Sequence, residues 1–203
     1  MPVRRRPVLA LAAATLAAAA LAGCQKAVPA HKFNAVDLTG AEYARTFDLP
    51  DVDGKPRTLA DFPGKVVVVF FGYTQCPDAC PTTMAELAQV KKLLGPESAR
   101  MQVLFITVDP ERDTAALLKN YVGNFGSDFI ALRGDAQQVK TVTREFKVFY
   151  EKVPGTAPDN YTIDHTAGTY VFDTQGRVRL FARNGMPPEQ LAEDVKALLA
   201  ESA

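Results

Sequence analysis

The sequence predicts an α/β fold: a mixed central sheet flanked by helices, with a small N-terminal hairpin. Three observations predict it. Two continuous apolar runs, Lys65 to Phe71 (KVVVVFF) and Met101 to Val108, have the length and β-branched composition of strands buried on both faces. Helical periodicity separates these runs and follows the second, which gives an alternating β-α-β-α order. A hairpin signal and one last amphipathic stretch then close the chain.

Taken in order, Thr46 to Leu49 and Pro56 to Leu59 flank Asp51-Val52-Asp53-Gly54, whose Asp-Gly pair marks a hairpin turn. After the first buried run, Pro81 to Leu94 reads as a helix, with Met84, Leu87, Val90, Leu93 and Leu94 at helical spacing and Gly95-Pro96 as its stop. After the second run, Asp113 reads as the N-cap of a helix to about Phe125, with Leu117, Leu118 and Tyr121 inward. Phe129 to Leu132 is a short strand, and Asp135 caps a helix to Phe146. Lys147 to Lys152 is extended, and Pro154 to Asn160 is a loop. Tyr170 to Asp173 and Arg177 to Ala182 flank the turn Thr174-Gln175-Gly176. Pro187-Pro188 opens the last helix, which places Leu191, Val195, Leu198 and Leu199 on one face.

Composition narrows the function classes. Of 203 residues, 47% are apolar and 23% charged, as in an ordinary globular domain. The 23 basic and 23 acidic residues balance, so no basic footprint for nucleic acid exists. No GxGxxG or GxxxxGK[ST] run occurs, which removes the main support for a dinucleotide or P-loop site. Three Cys are too few for a disulfide scaffold.

Residues 1–23 read as a signal peptide. Arg4, Arg5 and Arg6 form a positive start, and Val8 to Ala22 follows uncharged, too short to cross a bilayer comfortably. The segment ends in Leu21-Ala22-Gly23-Cys24, which resembles a bacterial lipobox with Cys24 as the lipidated residue. The expected product is an exported lipoprotein of 180 residues, with 20 basic against 23 acidic side chains, held at the membrane by its acyl chains and facing the periplasm or another extracytoplasmic space. Residues 24–42 read as a tether, and residues 43–203 as the folded domain.

The chemistry gathers at the end of the first buried run, in Phe71-Gly72-Tyr73-Thr74-Gln75-Cys76-Pro77-Asp78-Ala79-Cys80-Pro81. Open α/β sheets place their sites where strands end and helices begin. A helix N-terminus there favours thiolates, and a spacing of four brings two sulfurs together over one turn. A disulfide or a shared metal is then reasonable; two inert packing cysteines are the bland alternative. Asp164-His165-Thr166 supplies the second piece, at the start of the strand Thr169 to Phe172. Of the two His, His31 falls in the tether, and a lone loop His is most often merely hydrogen-bonded. Combined with two thiolates, His165 completes a soft three-ligand set that suits copper or zinc. A closed structural zinc site wants a fourth ligand, so copper fits better, although spacing alone does not decide it. The third piece, Asp109-Pro110-Glu111-Arg112-Asp113, follows the second buried run. It reads first as scaffolding: Asp113 caps a helix and Arg112 pairs with a carboxylate.

In this order and spacing, the three pieces resemble the SCO/SenC family over about residues 43 to 200. The resemblance implies a thioredoxin-like fold and a membrane-anchored copper chaperone that helps assemble the CuA centre of cytochrome c oxidase. It implies one copper per chain, as Cu(I) or Cu(II), on Cys76, Cys80 and His165. It also implies dithiol–disulfide cycling of the Cys pair. The implied partners are the CuA-bearing subunit II of the oxidase and another periplasmic copper chaperone. Two departures stand out. Gln75 occupies a position where many relatives have His, and the anchor resembles a lipoprotein's where other members use a transmembrane helix. The alternative is an enzyme, a thiol–disulfide oxidoreductase working through Cys76 and Cys80 on the oxidase subunit or in redox defence. Against a general peptide-disulfide clamp, no Pro stands directly before the strand from Thr169; the nearest are Pro154 and Pro158.

Overall fold

The computed structural model describes residues 31–156 and 160–201. The expected leader and Cys24 lie outside the described residues, as does part of the loop before residue 160.

Why the two apolar runs become strands is plain from their burial. β4 (Val66–Gly72) and β5 (Met101–Thr107) are buried along their whole lengths. They pair in parallel from Val66 opposite Met101 to Gly72 opposite Thr107. A parallel pair with both faces covered cannot afford polar alternation, which is why each reads as unbroken hydrophobic sequence. β6 (Ile130–Leu132) continues the parallel set beside β5. On the other side of β4 lie β9 (Thr169–Phe172), β10 (Val178–Ala182) and β1 (Val36–Asp37), all antiparallel to their neighbours. The resulting six-stranded mixed sheet has the order β1-β10-β9-β4-β5-β6. Helices α1 (Ala79–Leu94), α2 (Ala115–Gly123), α3 (Ala136–Glu145) and α4 (Pro188–Ala200) complete a thioredoxin-like α/β fold, with α4 packed against α1 and β4.

Aspartates organise the tight turns. β2 (Leu49–Pro50) and β3 (Pro56–Arg57) form the expected N-terminal hairpin. The Asp51 carboxylate accepts from the N–H groups of Asp53 and Lys55 and pairs with Arg57, while Gly54 takes the left-handed φ of +81°. Asp173 does the same for the turn between β9 and β10, through Gln175 N–H, Arg177 N–H and the Arg177 guanidinium. Asp135 caps α3 as its position suggests, accepting from Gln138 N–H at 2.8 Å.

Several boundaries differ from the sequence reading. α1 begins at Ala79, two residues before Pro81, so Cys80 lies in its first turn. Thr114, not Asp113, caps α2; its hydroxyl accepts from Leu117 N–H. The buried face of α2 carries Leu118 and Val122, one turn apart, and leaves Leu117 41% exposed. β7 (Tyr150–Pro154) pairs with β8 (Tyr161–His165) in a separate two-stranded hairpin. His165 therefore ends a strand of its own and does not merely precede β9. β8 alternates weakly and carries exposed polar residues, so no periodic signal marks it.

The folded body also starts earlier than the tether boundary at residue 42. Residues from Phe33 onward belong to the compact unit. Val36 pairs with Phe181 of β10, and Asp194 of α4, fully buried, accepts the backbone N–H groups of Asn34 and Ala35 at 2.8 to 3.1 Å. This short strap has no hydrophobic period; Phe33, Ala35 and Leu38 pack against the core and hydrogen bonds to a distant carboxylate fix its backbone, which composition does not reveal. Replacing Asp194 with Ala should therefore cost about 2 kcal/mol, the scale of hydrogen bonds to a buried charge. Urea melts would register it, and limited proteolysis should cut near Phe33 in the variant before the rest of the domain opens.

Candidate metal centre

β4 delivers the chain to the site. Its last residue, Gly72, has no room for a side chain: a Cβ there would lie 2.8 Å from Cys80 Sγ and 2.9 Å from the Phe105 ring. The loop Tyr73 to Asp78 then crosses into the first turn of α1. Here the Cys80 N–H, a helix N-terminal donor with no intrahelical partner, points to Cys76 Sγ at 3.4 Å. Cys76 is half-buried and Cys80 fully buried. The ring of His165 approaches from β8 and places Nε2 3.4 Å from Cys80 Sγ. Its Nδ1 lies 3.2 Å from the Thr166 carbonyl oxygen, which can only accept. Nδ1 therefore donates to that carbonyl, and Nε2 is the ring nitrogen that faces the sulfurs. Phe70 and Tyr73 stand edge-on to the imidazole, with ring centroids at 6.2 and 5.9 Å.

The structure brings Cys76, Cys80 and His165 together: their candidate donor atoms all lie within 4.8 Å of one another. Two sulfurs and one imidazole nitrogen, with no carboxylate among them, fit a soft metal ion and leave its remaining side open. That side opens onto a cleft of about 360 Å³ bordered by Pro77, Asp78, Asp164 and Ala167. His31 lies at the edge of the described residues and is not part of this group.

The two thiols are electrically unequal. Cys76 is pulled down to about 4, first by the Cys80 thiol, which donates to it, and then by the backbone N–H groups of Cys80 and Asp78 and by His165. The same shared proton pushes Cys80 up, and burial adds to that. The pair therefore holds one proton, on the inner sulfur, and one negative charge, on the outer.

The Asp109–Asp113 segment is scaffolding, though not as expected. Asp113 turns inward. Its carboxylate accepts from the Thr74 N–H and hydroxyl and, at 2.6 Å, from the Thr107 hydroxyl. It thereby ties the start of the Cys loop to the end of β5. Burial raises the Asp113 carboxyl, against the lowering pull of the Thr107 and Thr74 hydrogen bonds. Arg112 pairs with Asp109, which is 1% exposed. Arg112 also donates to the Tyr161 carbonyl at 2.8 Å and stacks on the Tyr161 ring, while the Tyr161 hydroxyl donates to Asp109. The Tyr73 hydroxyl accepts the Ile163 N–H at 3.1 Å. These contacts pin β8, and with it His165, over the Cys loop. The sequence reading missed Tyr73, Tyr161 and the inward turn of Asp113. Only Asp113 left a signal, as a carboxylate in the charged run between a buried strand and the next helix.

A thioredoxin-like domain with two Cys at the start of α1 and a His from β8 converging on them defines a class of thiol-based metal-binding proteins. The comparisons give the family. The SCO1/SenC family model matches residues 36–200, and the chain belongs to that family. It is 36% identical over 151 residues to a SCO2-like protein of Rickettsia felis, covering 74% of each chain. Among solved structures, ScoI of Bradyrhizobium japonicum with copper bound is 38% identical with a TM-score of 0.69, covering 75% of this chain and 97% of that one. Apo Sco1 of Thermus thermophilus is 35% identical with a TM-score of 0.74, covering 84% and 99%.

The asymmetry of the thiols sets an alkylation pattern. The reactive species is the thiolate, and its fraction rises with pH through the thiol pKa. In the reduced, metal-free protein at pH 6, two pH units above that of Cys76, iodoacetamide should modify Cys76 at nearly its plateau rate and leave Cys80 largely unmodified. Peptide mass mapping between pH 3 and 8 would show this, with the rate at Cys76 falling only as the pH approaches 4.

Proposed function

We propose that the protein is a copper chaperone, which carries one copper ion on Cys76, Cys80 and His165 and serves assembly of the CuA centre of cytochrome c oxidase. The observation that carries this reading is the convergence of two sulfurs and an imidazole within 4.8 Å, with Cys76 and His165 lining an open cleft. Thiolates and imidazole suit copper. Family membership and the copper held by the Bradyrhizobium relative support copper as the cargo. Three protein ligands leave a position for a ligand of the acceptor, so copper can pass by exchange without being released to solvent. The acceptor is taken to be subunit II of the oxidase, with another periplasmic copper chaperone as a further partner.

Metal loading tests it. The reduced chain from Gln25 onward, loaded with copper and desalted, should keep one copper, and Cys76→Ala and His165→Ala should each lose most of it. Retention should fall as pH drops, because protons compete for the same sulfurs and nitrogen. Wild-type protein that keeps no copper would sink the chaperone reading.

One observation favours a second reading. A half-exposed Cys76 thiolate beside a protonated, buried Cys80 is the arrangement of an attacking and a resolving thiol. Cys76 would attack a substrate disulfide, and Cys80 would then release the reduced substrate as the Cys76–Cys80 disulfide forms. His165→Ala separates the two activities, since it should cripple copper retention and largely spare disulfide exchange.

The anchor is a proposal of its own. No described helix is long and apolar enough to cross a membrane. Lipid on Cys24 would hold the exported domain at the membrane, with residues 25–32 as the remaining tether. Cys24→Ala should move the protein from the membrane fraction to the soluble fraction, read by fractionation and by loss of labelled fatty acid. Unchanged membrane retention would exclude lipidation at Cys24 as the anchor.

A further inference from the structure

The hairpin that carries His165 has two faces, and the domain covers only one. Side chains alternate along each strand, and cross-strand partners share a face. The inner face pairs Tyr150 with His165 and Lys152 with Ile163, which is buried. The outer face pairs Glu151 with Asp164 and Val153 with Thr162, and Phe149 extends it just before β7. All five outer side chains are exposed. Phe149, at 58%, is the most exposed large apolar side chain among the described residues. Glu151 and Asp164 stand directly opposite each other, where like charges repel. The cations nearest in sequence are committed elsewhere: Lys152 pairs with Glu111, and Lys147 lies over the Tyr43 ring. An isolated hairpin is marginal on its own, and its fold gains nothing from opposed carboxylates or from a phenyl ring in water.

This face runs into the mouth of the metal cleft. Thr162 and Asp164 border the cleft together with Cys76 and His165. Thr166, next to His165, donates its N–H to the Phe149 carbonyl at 3.0 Å. A protein that places a ligand on copper in this cleft therefore lies across the rim that Asp164 shares with the outer face. We propose that the outer face of the β7–β8 hairpin is the docking surface for the protein that receives the copper: a cationic side chain of that partner sits over Glu151 and Asp164, and apolar groups beside it cover Phe149 and Val153. This rests on the copper reading above and adds the chemistry that the acceptor's surface must present. The paired carboxylates repel anionic lipid and the same face of a second copy, whereas an exposed aromatic ring beside charges is the make-up of a protein–protein contact.

The probe is the water-exposed domain of oxidase subunit II, free of metal, mixed with the copper-loaded chain from Gln25 onward. Glu151→Lys sets a cation opposite Asp164, so the free variant should melt at or above the wild-type temperature. It should nevertheless associate with the probe about tenfold more slowly at low salt, and the rate should lose most of its salt dependence. Phe149→Ala should bind about tenfold more weakly, mainly through faster release. Both variants should keep copper as the wild type does. Unchanged binding in both variants would overturn the proposal. A loss of copper in step with the loss of binding would overturn it too, by showing that the face only steadies His165. A wild type that keeps copper but does not bind the probe would overturn the docking surface and leave copper carriage standing, whereas a wild type that keeps no copper would sink the chaperone reading and this proposal with it. Vesicles of phosphatidylcholine and phosphatidylglycerol that capture the wild type but not Phe149→Ala would overturn it by making a bilayer the occupant.

Discussion

Most of the site's arrangement follows from one contact, the N–H of Cys80 directed at the sulfur of Cys76. That donor is available only because α1 starts at Ala79, where the helix leaves its first N–H groups without intrahelical partners. It adds to the stronger pull of the Cys80 thiol hydrogen bond, and together they favour the negative charge on Cys76 and the proton on Cys80. The N–H contact also fixes the Cys loop in a curve that presents both sulfurs to one point. The buried β4 run holds the loop from behind, and Gly72 lets the inner sulfur sit against the sheet. The Asp113 carboxylate holds it from the side through Thr74.

The imidazole of His165 arrives on a weaker support. β7 and β8 form an isolated pair, and such a hairpin is marginal on its own. It is steadied by the Tyr73 hydroxyl, the Arg112 guanidinium and the Asp109–Tyr161 hydrogen bond. A rigid cysteine pair and a separately mounted histidine suit a carrier, because one ligand can move while two retain the metal. They suit an oxidoreductase less obviously, since a thiol pair gains nothing from an imidazole whose Nδ1 is fixed by a carbonyl and whose Nε2 faces the sulfurs.

What was legible in the sequence follows the strength of local periodicity. β4, β5 and the apolar face of α4 could be read because burial on every turn or every face leaves uninterrupted or periodic apolar sequence. The cysteine spacing and the Asp135 cap could be read because their geometry is local. β8 could not, because it is half-solvated and joins no large sheet. Asp113 was legible as important but not as to direction. Beside Thr114 it has a cap-like neighbourhood, and only the packing of β5 against the Cys loop turns it inward. The strap at Asn34 and Ala35 was illegible for the same reason: its fixing carboxylate, Asp194, lies 160 residues away on α4. Hydrogen bonds across that separation leave no trace in either segment's composition.

Asp194 and Asp113 share a property that ordinary amphipathic reasoning assigns to solvent: both are buried carboxylates on or beside helices. Each is tolerated because it accepts backbone or hydroxyl donors from an irregular segment packed beside it. One fixes the chain where it enters the domain, and the other fixes the loop that carries Cys76. The domain thus relies on apolar burial throughout and adds a buried acceptor at each of two irregular segments, the strap and the cysteine loop. Apolar contact holds such a segment without direction, whereas hydrogen bonds are directional, so the Asp113 carboxylate fixes the orientation of the Thr74 backbone two residues before Cys76.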